Sequence, residues 1–421
     1  MIRNFEDAKA QLKPHLREYL EEKGLNTSGN ICCINPNHED HNPSMGLVPG
    51  SDYTILHCFS GNCGANYDII DAYSILEESP TEGAGWLVST FIPLCNKYEV
   101  PIELDELTEE DKYRYSVYRA YDRAAAIVRT AEPTSLMLDE IDKRKWNIIK
   151  VRDRFGVGSI SFEDFVKGMH SYGYTRKFLE DIDLYNYNIF NEKGLIIPIK
   201  DDRGAVCGFV TRNLTCNKNK DIKKFFNTSK KCPIYNKSEI LFNFDSARHK
   251  TPPLYITESY MDTITLVLNG MENVVGIGAT ALTDEHLDLL KRYDMNDIIL
   301  ALDFDEAGQT ATAKYVEQLS GNTGLNLNVL MPSESLDMSE VADPEDFILK
   351  YGMDAFKTLP VVGAFEWKLL NDDYRSHPFD LAKNTVPIIA NDPSPIERAK
   401  MCTILAKHTG IDITIIKDEL D

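Results

Sequence analysis

Two apolar runs in this chain stop on carboxylates 45 residues apart, and acidic groups so placed could hold divalent cations. The first reads Leu254-Tyr255-Ile256-Thr257-Glu258, and the second Ile298-Ile299-Leu300-Ala301-Leu302-Asp303-Phe304-Asp305. A helical pattern follows each, and the alternation continues over residues 254–350. Apolar runs alternating with helical segments predict a parallel α/β sheet, whose ligands sit beyond the carboxyl ends of the strands. Strand alternation would turn Asp303 and Asp305 the same way and Phe304 the other. Glu258, Asp303 and Asp305 would repel one another unless a cation sits among them, and Mg²⁺ is the usual one. Asp262, one helical turn after Glu258, is either an auxiliary ligand or a helix-start charge. Asp343, before Pro344, is either an auxiliary ligand or a helix cap.

A second donor set lies near the N-terminus. Cys33…His38 and Cys58…Cys63 form two pairs with four residues inside each and 19 residues between them. Short β-like runs around 44–47 and 53–57 separate the pairs, so the pattern predicts a zinc ribbon closed by one structural Zn²⁺. Cys32 could replace Cys33, and His41 or His57 could replace a partner. Scattered buried cysteines are the plainer alternative, but a ribbon this small has little core and needs a staple. Nine cysteines and no signal-peptide apolar segment argue against a disulfide framework.

The net charge of −21 argues against nucleic-acid binding only if it is spread evenly. From Lys193 to Lys250 there are 13 Lys and Arg against 5 Asp and Glu, so one basic stretch sits in an acidic protein. Its cations include Lys193, Lys200, Arg203, Arg212, Lys223, Lys224 and Lys237, interleaved with Phe209, Phe225, Phe226 and Tyr235. Such a mixture suits a strand-tracking surface on which phosphates meet cations and bases stack. Taken singly, the aromatics are as well explained as sheet core. Gly194 to Val210, with a turn at Asp201-Asp202-Arg203-Gly204, reads as a β-hairpin.

The remaining segments position these sets. Residues 5–23, Asn66–Glu77, Thr108–Arg129 and 134–185 carry helical patterns, as does the stretch after 350. No apolar run is long enough to span a membrane, which makes a cytoplasmic protein without membrane contact the expectation. There is no GxxxxGK[ST] loop, so an NTP-driven motor is not indicated.

In this order the features resemble the bacterial DnaG-type replicative primases over nearly the whole chain. Cys33…His38…Asn42-Pro43-Ser44-Met45…Cys58-Phe59…Cys63-Gly64 resembles the family's zinc-binding domain, with each ligand pair two residues wider than usual. Ile197-Pro198-Ile199-Lys200-Asp201-Asp202-Arg203-Gly204…Arg212-Asn213-Leu214 resembles the basic half of its polymerase region, continued by Lys224-Phe225-Phe226 and Tyr235-Asn236-Lys237. Glu258-Ser259-Tyr260-Met261-Asp262, Gly278-Ala279-Thr280-Ala281 and Asp303-Phe304-Asp305 resemble its TOPRIM core, and Asp343-Pro344-Glu345-Asp346 its last acidic motif. Ser259 stands where Gly is usual, Phe304 where a small residue is, and Glu345 where Asp is common.

The resemblance implies a multi-domain α/β protein. Its parts would be a zinc-binding domain (1–95), a linker (96–115), a mixed α+β basic subdomain (116–250), a TOPRIM core with a parallel sheet (251–350) and a C-terminal helical subdomain (351–421). It implies RNA primer synthesis on single-stranded DNA from ribonucleoside triphosphates. Glu258, Asp303 and Asp305 would hold two or more Mg²⁺ (or Mn²⁺), with Asp262 and Asp343 as further ligands. Lys193, Arg212, Lys224 and Lys237 would bind nucleotide or template. The chain ends where the family's helicase-interacting domain would begin, which leads us to expect a replicative helicase acting in trans and a phage or mobile-element source. Another TOPRIM enzyme, a nuclease or topoisomerase, and a non-catalytic DNA-binding module are the alternatives.

Overall fold

The computed structural model describes residues 4–420 except 37, 39, 41, 62, 78, 81–85, 104–107, 216–222, 279–281, 320–323, 334 and 374. His41 and the 279–281 part of the glycine motif therefore lie outside the described residues. The chain forms two compact units, one of Met1–Asp139 with Arg152–Tyr235 and one of Glu140–Val151 with Asn236–Asp421.

The first unit begins with helices Phe5–Leu12 and Leu16–Glu22, whose apolar stripes bury Leu12, Leu16, Tyr19 and Leu20. They pack with a small antiparallel sheet of β1 (Met45–Leu47), β2 (Leu56–Cys58) and β3 (Asn66–Tyr67) in that order. The sequence pattern started a helix at Asn66, but the helix runs Ile69–Leu76. Asp68 sets that start by accepting the backbone N–H groups of Ile70 (2.9 Å) and Asp71 (3.2 Å), which leaves Asn66 and Tyr67 to pair as a strand. Phe91, Leu94 and Val100 join the same core.

Further along, β4 (Gly194–Lys200), β5 (Val206–Asn213) and β6 (Phe225–Asn227) form the hairpin and one added strand, all antiparallel. Helix Glu109–Thr130, opened by a Thr108 capping box, lies against β5, with Tyr121 stacked on Phe209 at 5.7 Å. Gly208 is required there, because a Cβ would stand 2.5 Å from the buried Tyr235 ring.

On the same helix, burial raises the Asp122 carboxyl to about 6, with the Asp201 charge adding and the Val206 backbone N–H opposing. A folded-state value above the unfolded one makes a contribution that is complete below about pH 4 and is lost as pH rises through about 6. Asp122→Asn should therefore match wild type near pH 3 and exceed it by about 2–3 kcal/mol at pH 7.5 in urea unfolding. An equal gap at both pH values would contradict this.

The second unit is built on a five-stranded sheet. Its strands are β7 (Leu254–Thr257), β8 (Val274–Gly276), β9 (Asp297–Leu300), β10 (Asn326–Leu330) and β11 (Val361–Gly363), in the order β11-β10-β9-β7-β8. All pairs are parallel except β10 with β11. Leu254, Ile256, Ile298, Leu300, Leu290, Val316 and Trp367 fill its core. The sequence pattern read everything after 350 as helical. Val361–Gly363 instead closes the sheet as an antiparallel edge, three residues being too short to show a period of two. Helices Pro378–Ala390, Pro395–Thr409 and Ile413–Asp418 then enclose Leu381, Ile389, Cys402, Leu405 and Ile416.

Candidate metal centres

The acidic residues gather at the carboxyl edge of the parallel sheet. β7 ends at Thr257, and Glu258 follows it directly. Ser259 then caps helix Tyr260–Leu268, accepting the Asp262 N–H at 3.2 Å and donating its hydroxyl to Asp262 Oδ2 at 2.5 Å. β9 ends earlier than its apolar run suggests, at Leu300. Asp303 and Asp305 thus stand on a turn, and strand alternation does not govern them. Asp305 instead starts helix Glu306–Leu319, its Oδ1 accepting the Gly308 N–H at 2.8 Å. The Phe304 N–H donates to the Ala342 carbonyl at 2.7 Å, tying this turn to the segment before Asp343. Asp343 caps helix Pro344–Tyr351, accepting the Asp346 N–H at 2.7 Å.

Gly308 fits closely under the turn, where a Cβ would lie 2.1 Å from the Asp303 carbonyl oxygen. Since that neighbour is backbone, Gly308→Ala should move Asp303. We expect it to weaken Mn²⁺ binding about tenfold while costing only about 1–3 kcal/mol of stability. Titration of the free-ion electron paramagnetic resonance signal beside a urea melt would check both figures.

The carboxylates at this edge act on one another. Burial and then the Asp305 charge raise the Glu258 carboxyl above its ordinary value. Asp262, 2% exposed, is pushed well up by burial, with Asp343, Glu345 and Asp303 adding to it. Burial also raises Asp343, to about 6. Carboxylates so placed suit a hard cation, which would restore their charged forms. They are not drawn into one tight cage. Among the described residues only the cysteine–histidine set brings at least three donor atoms within 4.8 Å of one another. A wider acidic set fits an ion that keeps part of its water shell.

Behind this edge Glu345, of the last acidic motif, joins two charged groups that the sequence pattern did not single out. Arg144, 7% exposed, donates through Nε to Glu140 Oε1 at 2.8 Å and through Nη1 to Glu345 Oε2. Thr265 Oγ1 donates to Glu345 Oε1 at 2.7 Å and accepts the Trp146 indole N–H at 2.8 Å. No local signal marks Glu140, on helix Ser135–Lys143, or Arg144, in the turn just after it, since such charges ordinarily face water.

In the N-terminal set, Cys33, His38, Cys58 and Cys63 come together. Cys33 Sγ and Cys63 Sγ are 3.9 Å apart, and Cys58 Sγ is 3.6 Å from His38 Nδ1. A tetrahedron with Zn–S bonds of about 2.3 Å has sulfur–sulfur edges of about 3.8 Å. The donor set therefore fits Zn²⁺, with four protein ligands and no open position. Cys32 is exposed and outside the group, and His57 pairs with Asn66 Oδ1 at 2.8 Å instead. Asp40 braces the site by accepting the Cys33 N–H (2.8 Å) and the Ser44 hydroxyl (2.8 Å).

Three of the four selected cations share one end of the β4–β5–β6 sheet. Arg212 pairs across β5–β6 with Phe225 and carries its guanidinium 5.6 Å from that ring. Lys224 Nζ lies 5.7 Å from the same ring, and the Lys193 carbonyl accepts the Leu214 N–H. Lys237 belongs to the second unit, on the short turn Lys237–Glu239. Phe209 and Tyr235 are buried core residues, whereas Phe225 and Phe226 are half-buried beneath Lys and Arg.

Two families match separate stretches. Residues 141–248 match the DNA primase catalytic core, N-terminal domain, and residues 255–345 match the Toprim-like family. A DNA primase of Enterococcus faecalis is 24% identical over 96% of this chain, and the chain spans 66% of that relative's length. The zinc-binding and RNA polymerase domains of Aquifex aeolicus primase superpose with a TM-score of 0.63 at 21% identity, covering 97% of this chain and 98% of that one. A DnaG primase catalytic domain solved bound to single-stranded DNA gives 0.55 at 23% identity over 72% of this chain and 99% of that one.

Proposed function

We propose that this chain, which belongs to the DnaG-type DNA primase family, makes short RNA primers on a single-stranded DNA template. The observation that carries the reading is the meeting of Glu258, Asp262, Asp303, Asp305 and Asp343 at one sheet edge, from three separate segments. Glu258, Asp303 and Asp305 would hold Mg²⁺ or Mn²⁺, with Asp262 and Asp343 as further ligands. Such ions, when bound, neutralise triphosphate charge and favour the ionised 3′ hydroxyl. The chain's own part is positioning. Gly308 and the Phe304–Ala342 hydrogen bond fix the Asp303 turn, and the Ser259 cap fixes Asp262.

Lys193, Arg212 and Lys224, with Lys237, would bind phosphates of nucleotide or template. Phe225 would offer a flat face beside two of those cations. The zinc ribbon would bind template at the start site. A replicative helicase would act in trans. No helix among the described residues is long and apolar enough to cross a membrane, and we place the activity in the cytoplasm. Incubating the full chain with the four ribonucleoside triphosphates, Mg²⁺ and a panel of single-stranded DNAs should yield short oligoribonucleotides. Template shortening would point to a nuclease, and a mobility shift without synthesis to a binding module.

A further inference from the structure

The second unit takes one segment from far upstream, and that segment delivers a buried cation behind the acidic edge. Glu140, Arg144 and Glu345 are 7%, 7% and 6% exposed, so all three charges are withdrawn from water. Buried ions persist only when paired and hydrogen-bonded throughout. Here the pairing is complete on Glu345. Arg144 takes Oε2, Thr265 takes Oε1, and Trp146 holds Thr265 in place. The Arg144 guanidinium also lies 5.5 Å from the Trp146 ring.

The backbone of Glu345 points elsewhere, its N–H donating to Asp262 Oδ1 at 3.1 Å. The other oxygen of Asp262 takes the Ser259 hydroxyl. Asp262 is thus fixed from two sides, by a helix cap and by the first turn of helix Pro344–Tyr351. That turn is anchored by the Glu345 side chain, and Glu345 by Arg144.

We propose that Arg144 is a positioning residue of the acidic site. It withdraws Glu345 from the cation-holding set and uses it as an anchor that fixes Asp262 and Asp343. The inference rests on the reading that these carboxylates bind divalent cations. It makes Glu345 a support for the acidic site, although it lies two residues from Asp343 and inside the same acidic motif.

The test is Mn²⁺ affinity of the full chain, read from the electron paramagnetic resonance signal of free Mn²⁺, with thermal melting followed in parallel. Arg144→Met should weaken Mn²⁺ binding by about 10–100-fold, the range for groups that orient ligands without being ligands. Adding Glu345→Gln to it should recover part of that loss, because the uncompensated charge is gone. If Glu345 were itself a ligand, the double variant would bind more weakly than Arg144→Met alone, and that result overturns the inference. Wild-type affinity in a folded Arg144→Met variant overturns it too. Should Arg144→Met not melt cooperatively, Thr265→Val removes one anchor of Glu345 and leaves the ion pair. It should weaken Mn²⁺ binding severalfold, and unchanged affinity would count against the proposal. A wild-type chain that binds no Mn²⁺ would defeat the metal-site reading itself, which separates the two failures.

Discussion

Asp303→Ala should reduce primer synthesis by at least about 10³-fold, roughly 4 kcal/mol of transition-state stabilisation. Asp303 sits on the turn between β9 and helix Glu306–Leu319, and its charge already reaches the buried Asp262. Removing it takes away a proposed cation ligand. It also relieves repulsion in the metal-free fold, so the melting temperature without Mg²⁺ should stay level or rise. That opposition between activity and stability distinguishes a ligand from a packing residue. Glu306, exposed and three residues further on, is the control, and Glu306→Gln should remain within about twofold of wild type in activity. If Asp303→Ala made as much oligoribonucleotide as wild type, the proposed mechanism would be wrong.

Loss of zinc should be as drastic for the N-terminal sheet. That sheet has strands of three, three and two residues, and its buried apolar side chains include Met45 and Leu56. Structural zinc supplies on the order of 10 kcal/mol to domains of this size. Cys58→Ser should abolish zinc binding and remove amide-exchange protection from residues 45–58, while leaving β4–β6 protected. Cys32→Ser should keep one zinc per chain, because Cys32 lies outside the tetrahedral group. Full zinc content in Cys58→Ser, or loss of it in Cys32→Ser, would overturn the ligand assignment. In primer synthesis we expect Cys58→Ser to lose its dependence on template sequence before it loses Mn²⁺ binding.

Much of this was legible in the sequence because it depends on short-range pattern. Period-two and period-3.6 spacing carried the β4–β5 hairpin and the β7 and β9 strands. The wide C-x4-[HC] pairs were enough to suggest zinc, yet nothing in the sequence chose Cys33 over Cys32. Adjacent cysteines in an irregular segment differ only in direction. The alternation argument for Asp303 and Asp305 failed because the capping preference of Asp305 outweighs two more residues of strand. Arg144 was invisible for another reason. A charged residue is buried only when its partners arrive, and one of its two, Glu345, is 201 residues away.

That distance has a consequence for synthesis of the protein. A ribosome adds about 5–20 residues per second, so Arg144 is made roughly 10–40 s before Glu345 exists to receive it. Over that interval the cation has only Glu140 of its two carboxylate partners, and Trp146 waits for Thr265 until residue 265 is made. A nascent chain stalled before residue 265 should therefore expose Trp146 to a fluorescence quencher and lose that exposure once synthesis passes helix Pro344–Tyr351. Its burial marks the moment at which the acidic edge is assembled.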